Sequence, residues 1–226
     1  MVHRGLSMRR WVIIGQRASA SPAFSLVDLA STSGRLDVLL RCVRSAFLVS
    51  HGLRRDTIVY LVLLGGKEAP RTLRINGEFV RFVRPDERSL AMMVQKALAA
   101  PTDGEEGFFP VRPGLAVAKG GIETVLGELP PGRRFLLDPS GVDIRNAPID
   151  LSDPIFFIGD HLGLSEETRA AIHSPGLIPM SVGPIEVHAE DAISITSNEL
   201  DRREVCTRRI SYDRPAIQKA ISPEKT

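Results

Sequence analysis

Apolar positions fall into two alternating rhythms along this chain. Residues 57–64 form a continuous apolar run, the pattern of a strand covered on both faces, and residues 11–14 read as a first strand. Between them Leu36, Leu39, Leu40, Val43 and Phe47 recur at helical spacing. That predicts a helix running from the Gly34-Arg35-Leu36-Asp37 turn to a stop at His51-Gly52. The Ser/Ala-rich stretch 18–33, with Asp28 inside it, reads as a loop. Residues 73–75 and 79–83, joined by Asn76-Gly77, predict a two-residue hairpin. A helix over 89–99 and an acidic, glycine-containing loop over 102–107 follow.

The second half repeats the alternation. Strands are predicted over 115–118, 133–137, 154–158 and 177–180. Helices are predicted over 122–128 and 165–173, the latter with Ser165 as N-cap and Glu166 and Glu167 in its first turn. A last long helix runs from His188 to Glu204. Strands alternating with helices imply an α/β fold on a mostly parallel sheet. No internal repeat interrupts the pattern.

Three predicted strands end in tight turns of small residues: Leu136-Leu137-Asp138-Pro139, Ile158-Gly159-Asp160-His161-Leu162-Gly163 and Met180-Ser181-Val182-Gly183-Pro184. Ligands of open parallel sheets bind beyond the carboxyl ends of strands, where glycine lets the backbone approach closely. Three such turns on neighbouring strands would wall a pocket suited to a flat, neutral base. Ordinary βα turns use the same residues, so the pattern admits both readings.

Composition narrows the classes. A chain of 226 residues with 43% hydrophobic and 25% charged positions is long enough for one large α/β domain or two small ones. No apolar run nears the roughly 18 residues of a membrane span, and run 11–14 is too short for a secretory signal, so the cytoplasm is the simplest compartment. Two cysteines, Cys42 and Cys206, argue against a disulfide framework or a cysteine-rich zinc site. Net charge is only +2, yet 24 of the 29 basic residues are arginine, the side chain suited to phosphate and to base stacking. A GC-rich genome or a heat-adapted surface would give the same bias, and only six Asn plus Gln residues fit either.

Common nucleotide and metal motifs fail on spacing. There is no G-x-G-x-x-G after the first strand. Gly65-Gly66-Lys67 is followed by Glu68, and Leu61 stands where a P-loop needs glycine. His188-Ala189-Glu190 resembles half of a zinc deaminase signature, but no P-C-x-x-C follows. His161 reads as a catalytic residue or a loop residue bonding a carbonyl. Cys42 reads as a small core residue, and Cys206, among Arg202, Arg203, Arg208 and Arg209, as structural or as a thiol of lowered pKa.

Taken together, the runs FFIGDHLG, SVGP and HAEDAISITSNELDRR resemble the C-terminal half of archaeal tRNA pseudouridine N1-methyltransferases. FSLVDL, GRLDVLLRCVRSAFLVSHGLRRD, VYLVLLGG and VRPDERS are similar to the N-terminal half of that family. The resemblance spans residues 10–203 and places the chain in the SPOUT superfamily. It implies one methyltransferase domain over 10–205, with a C-terminal trefoil knot over 133–205, and tails at 1–9 and 206–226. It also implies a homodimer and S-adenosylmethionine as cofactor, with no metal. By the same resemblance the cofactor is contacted by Leu136, Leu137, Gly159, Ser181, Val182, Gly183, Pro184, Ile185, Glu186, Val187 and Ala192. The face Ala189, Ile193, Thr196 and Leu200 would help form the dimer or belong to the core within the chain.

The implied substrate is the pseudouridine at position 54 in the T-loop of tRNA. A pseudouridine of small-subunit ribosomal RNA is the alternative, as is a non-catalytic RNA-binding or ribosome-assembly factor of the same fold. Methylating N1 of pseudouridine requires loss of its proton and in-line attack on a sulfonium methyl, so orientation and proton removal are the tasks left to side chains. Asp37 is the candidate for orienting the base or accepting its proton, and Arg35 for binding phosphate or base. Asp37 could equally be a first-turn helix charge or a partner of Arg41. RNA contact is expected from Arg35, Arg54 and Arg55, with Arg74, Arg81 and Arg84 of the hairpin as further candidates.

Overall fold

The computed structural model describes residues 7–81, 83–102, 107–147, 150–173 and 176–207, with side chains up to residue 203. The first half comprises β1 (Arg9–Ser19), α1 (Leu29–Thr32), α2 (Leu36–Phe47), β2 (Leu48–Val49), β3 (Gly52–Leu53), β4 (Thr57–Gly65), β5 (Arg71–Asn76) and α3 (Glu87–Leu98). The second comprises β6 (Phe109–Arg112), β7 (Leu115–Lys119), α4 (Ile122–Glu128), β8 (Arg134–Asp143), β9 (Ile155–Gly159), α5 (Glu166–Ile172), β10 (Leu177–Ser181) and α6 (Ala189–Thr207). Among the described residues, eight strands form one sheet in the order β10-β8-β9-β1-β4-β5-β7-β6. The first five run parallel and the last three antiparallel, so the α/β, mostly parallel expectation holds with an antiparallel flank.

The apolar runs 11–14 and 57–64 are the central pair β1 and β4, and alternation along β1 divides the core. Trp11 and Ile13 face α2, meeting Leu36, Leu39, Leu40 and Val43; Val12 and Ile14 face the other layer, with Val125 of α4 and Ile172 of α5. A column of rings, Trp11 on Phe156 at 4.8 Å and Phe156 on Phe135 at 5.2 Å, ties β1, β9 and β8 together. Each stacked pair adds about 1 kcal/mol beyond the area it buries. Both faces of the central strands are thus covered.

Several predicted elements shift. The helix expected to reach His51-Gly52 stops at Phe47, because Leu48 turns extended and pairs with Leu53 across β2 and β3. The loop predicted over 18–33 contains the end of β1 and the short α1. The Asn76-Gly77 hairpin does not form. Neither residue has the positive φ that a two-residue hairpin needs, and Phe79 and Val80 both donate to the Asn76 carbonyl in a helical sense. Glycine is required at 77 for a different reason: a Cβ there would come within 2.4 Å of the Arg54 carbonyl oxygen. The partners of β5 are β4 and β7 instead. The strand predicted over 133–137 continues to Asp143 after an excursion, since Leu136 pairs with Pro179 but Val142 pairs with the next residue, Met180. Most of the acidic loop 102–107, the start of the tail 1–9, residue 82 of the predicted hairpin arm and the tail beyond 207 lie outside the described residues, as does the Cys206 side chain.

The helical face Ile193, Thr196 and Leu200 is buried inside the chain, where α6 lies along α2. The structure thus gives the core reading for these three residues, whereas Ala189, the fourth of that stripe, is only half-buried. Cys42 is core as well, and burial pushes its thiol pKa up.

Candidate active site

Backbone geometry brings the three strand-end turns together. Strands β8, β9 and β10 are neighbours and parallel, so their carboxyl ends open on the same edge of the sheet. The five-residue excursion of β8, 137–141, builds one wall. Asp138 accepts from the Ser140 N–H at 3.0 Å and hydroxyl at 2.6 Å, and faces Arg169 of α5 at 3.4 Å. Those bonds hold the Asp138 carboxyl below the ordinary carboxylate range.

The β9 turn doubles back on itself. A Cβ on Gly159 would lie 2.5 Å from the backbone of Gly163, so only glycine permits the fold-back, and Gly163 itself has a φ of +71°. Asp160 staples the turn. Its buried carboxylate accepts from the N–H of Leu162 at 2.8 Å and, from the end of β1, the N–H of Gln16 at 2.9 Å. Ser181 shapes the third turn, donating to the Gly183 carbonyl at 2.8 Å and accepting from the Gly183 N–H at 3.1 Å.

The result is one cleft, open to solvent on one side, of about 750 Å³ when the space out to its mouth is counted. Of the residues that the sequence assigned to a cofactor, Leu136, Leu137, Gly159, Ser181, Val182, Gly183, Ile185, Glu186, Val187 and Ala192 line it; Pro184 lies in the same loop but does not. Asp138, Asp160, Gly163 and Arg169 also line the cleft and were not singled out as contacts. Asp138 and the 159–163 turn stood within the quoted strand ends, whereas nothing local marked Arg169, which reaches the wall from α5.

Arg35 and Asp37 lie at the start of α2. Gly34 and Arg35 occupy consecutive left-handed conformations, with φ of +62° and +67°. That is a strained posture for arginine, of the kind that persists where the surroundings dictate it. Asp37 grips Arg35 with both oxygens, at 3.0 Å from Nε and 3.2 Å from Nη2, and accepts a third bond from Arg41 at 3.0 Å. Its side chain is 8% exposed, against 44% for Arg35. Burial pushes the Asp37 carboxyl up, but the hydrogen bonds and charges of Arg35 and Arg41 outweigh it and hold the group below its ordinary value. A carboxylate so held is a weak proton acceptor and a firm anchor for a guanidinium. Arg41 continues the chain of charges to Glu190 of α6, 2.8 Å away, and Glu190 sits between the cleft-lining Ala189 and Ala192.

The other expected RNA arginines are engaged within the chain. Arg54 forms a fork with Asp201 at 2.7 and 2.6 Å and is 10% exposed, beside the fully buried Arg9 that binds the same carboxylate. Arg55 donates to the carbonyls of Gly77 and Val80, both at 2.9 Å. Arg74 pairs with Glu128 and stacks on Phe108. Arg81 and Arg84 are exposed, and no strand carries them. No group of His, Cys, Asp and Glu suited to a metal occurs among the described residues, and no helix among them is long and apolar enough to cross a membrane.

A family model described as "Putative SAM-dependent RNA methyltransferase" matches residues 8–205. The tRNA (pseudouridine(54)-N(1))-methyltransferase of Methanosarcina acetivorans is 41% identical over 197 residues, which is 87% of this chain and 92% of that protein. Its namesake from Methanocaldococcus jannaschii is 34% identical over 205 residues, 88% of this chain and 99% of that protein. Among solved structures, Archaeoglobus fulgidus Nep1 bound to S-adenosylhomocysteine shares the fold, with a TM-score of 0.58 at 14% identity over 88% of this chain and 100% of that one. A site of three converging strand-end turns, on a chain matched over nearly its whole length, thus belongs to the SAM-dependent RNA methyltransferase family.

Proposed function

We propose that this protein methylates N1 of the pseudouridine at position 54 of tRNA, using S-adenosylmethionine. The observation that carries the reading is the joining of the cleft to the Arg35–Asp37 pair through Arg41 and Glu190. The relatives named for that activity support tRNA over ribosomal RNA. The lining fits the cofactor: Leu136, Ile158, Met180 and Ala192 offer apolar walls for an adenine, while Asp138, Glu186 and Arg169 offer polar groups for its charged and hydroxylated parts. When bound, the cofactor supplies a methyl group already activated by the positive sulfur. The transfer would convert the donor to S-adenosylhomocysteine with loss of the N1 proton, and this chain's residues would hold donor and base in line for it.

The task left to the protein is orientation. Asp37 keeps the Arg35 guanidinium aimed at the target nucleotide, and its lowered pKa suits that duty better than proton removal. Arg17 extends the RNA-facing side, because its carbonyl lies against Gly34 and its side chain is exposed. Arg54 and Arg55, engaged inside the chain, support the fold beneath. The methyltransferase domain covers residues 10–205 with its knot over 133–205, and the protein works as a cytoplasmic homodimer. Exposed Ile185, Val187, Leu162 and Val142 supply the apolar surface for the partner, in place of the buried α6 stripe.

Incubation with labelled S-adenosylmethionine and tRNA or ribosomal RNA transcripts, with and without pseudouridine, tests the reading. Mass spectrometry of the nucleosides should show N1-methylpseudouridine only from pseudouridine-containing tRNA. Methylation confined to ribosomal RNA, or none with any transcript, would overturn it. Calorimetry with S-adenosylhomocysteine separates the scaffold alternative, which predicts no heat at millimolar ligand.

A further inference from the structure

The first turn of α6 belongs to two sites at once. Ala189 and Ala192 line the methyl-donor cleft, and the loop ahead of them, 184–188, is exposed. Between those two alanines Glu190 turns the other way and accepts from Arg41 Nε at 2.8 Å, across 149 residues of sequence. Arg41 also donates from Nη1 to Asp37 at 3.0 Å and reaches Glu87 of α3 at 3.4 Å. Asp37 in turn holds Arg35 by both oxygens. Four charged side chains of alternating sign therefore link the cleft to the strained arginine at the start of α2. A helix-dipole role would explain an acid in the first turn of α6, but it would not require Glu190 to bind a guanidinium from another helix.

We propose that Glu190 is a positioning residue that couples occupancy of the methyl-donor cleft to the aim of Arg35, acting through Arg41 and Asp37. The inference rests on the function proposed above. Ligand contacts on the 185–187 loop and Ala192 set the first turn of α6, and the forked geometry of Arg41 passes a shift of Glu190 to Asp37. Donor and RNA then tighten each other's binding by the same factor, as linkage demands. Ordered this way, the pseudouridine is gripped firmly once the methyl group is in place.

The test is RNA binding to a pseudouridine-containing T-arm stem-loop, with and without saturating S-adenosylhomocysteine, in the wild type, Glu190→Ala and Glu190→Gln. In the wild type the ligand should tighten RNA binding about tenfold. Glu190→Ala should bring that factor below about twofold and raise KM for RNA more than it lowers kcat, while S-adenosylhomocysteine alone binds within about threefold of normal. Glu190→Gln keeps an acceptor for Arg41 without the charge, should fold if the alanine variant does not, and should retain an intermediate factor. An undiminished factor in the folded variants, or none in a wild type that methylates the RNA, would overturn the coupling and leave the proposed function standing. A wild type that methylates no pseudouridine RNA would remove that function and the coupling with it.

Discussion

Asp37→Asn isolates the contribution of the Arg35 clamp. The aspartate makes two charge-assisted bonds to Arg35 and one to Arg41. Asparagine keeps one acceptor but turns an amide donor toward guanidinium donors, so the fork to Arg35 is lost. Because nearly half of the Arg35 side chain meets solvent, each bond belongs at the low end of the charge-assisted range, about 1.5 kcal/mol. The remaining acceptor saves at most one of the two bonds, so about 1.5 to 3 kcal/mol is lost, a fall in kcat/KM of roughly 10- to 150-fold for a clamp used fully in the transition state. Asp37 does not line the cleft, so S-adenosylhomocysteine affinity should stay within about twofold of wild type. Its pKa is depressed, so it is ionised throughout pH 5–8 and contributes no limb to the rate profile there; variant and wild type should run parallel. Single-turnover methylation across that range, with calorimetry for the cofactor product, decides it. A kcat/KM within twofold of wild type would refute the clamp, and loss of a limb present in the wild type would restore Asp37 as proton acceptor.

Other expectations follow from the same geometry. Gly159→Ala sets a Cβ 2.5 Å from the Gly163 backbone, so calorimetry should show S-adenosylhomocysteine affinity falling at least tenfold; unchanged affinity would mean that the β9 turn does not form the cleft floor. Asp201→Asn strips charge from a carboxylate that serves Arg9 and Arg54, both buried, and should cost about 3–5 kcal/mol by chemical denaturation. Burial pushes the Asp201 carboxyl up, but Arg54 and Arg9 outweigh it and hold the pKa below 3.8. The stabilisation is therefore complete above that value and lost as pH falls through the lower, folded one; an acid transition unmoved by Asp201→Asn would contradict this. Cys42 should resist thiol reagents at neutral pH until the protein unfolds, because burial disfavours its thiolate. Labelling of the native protein at the rate of a free thiol would place Cys42 outside the core.

Local pattern settled a good part of this molecule. The run at 57–64 read as a strand buried on both faces, residues 11–14 as a strand, the spacing from Leu36 to Phe47 as a helix, and glycine at 159 marked a turn where backbone approaches closely. Those signals are short-range, because burial and φ preference act on a residue and its near neighbours. Strand pairing is not short-range. Asn76-Gly77 carries the composition of a hairpin, yet β5 found β4 and β7, since closing the sheet gained more than one favourable turn. The α6 stripe, equally fit for a dimer or a core, was assigned by the packing of α2 against it.

Charge shows the division most clearly. Sequence alone supplied arginines at 35, 41, 54 and 55 and could not rank them, because the role of a guanidinium depends on which carboxylate or carbonyl arrives beside it. Folding brought Asp201 to Arg54, the Gly77 carbonyl to Arg55 and Glu190 to Arg41, from as far as 149 residues away, and left Arg35 half open to solvent. Residue types are written locally and survive in any conformation; partnership between distant charges exists only once the chain has closed on itself.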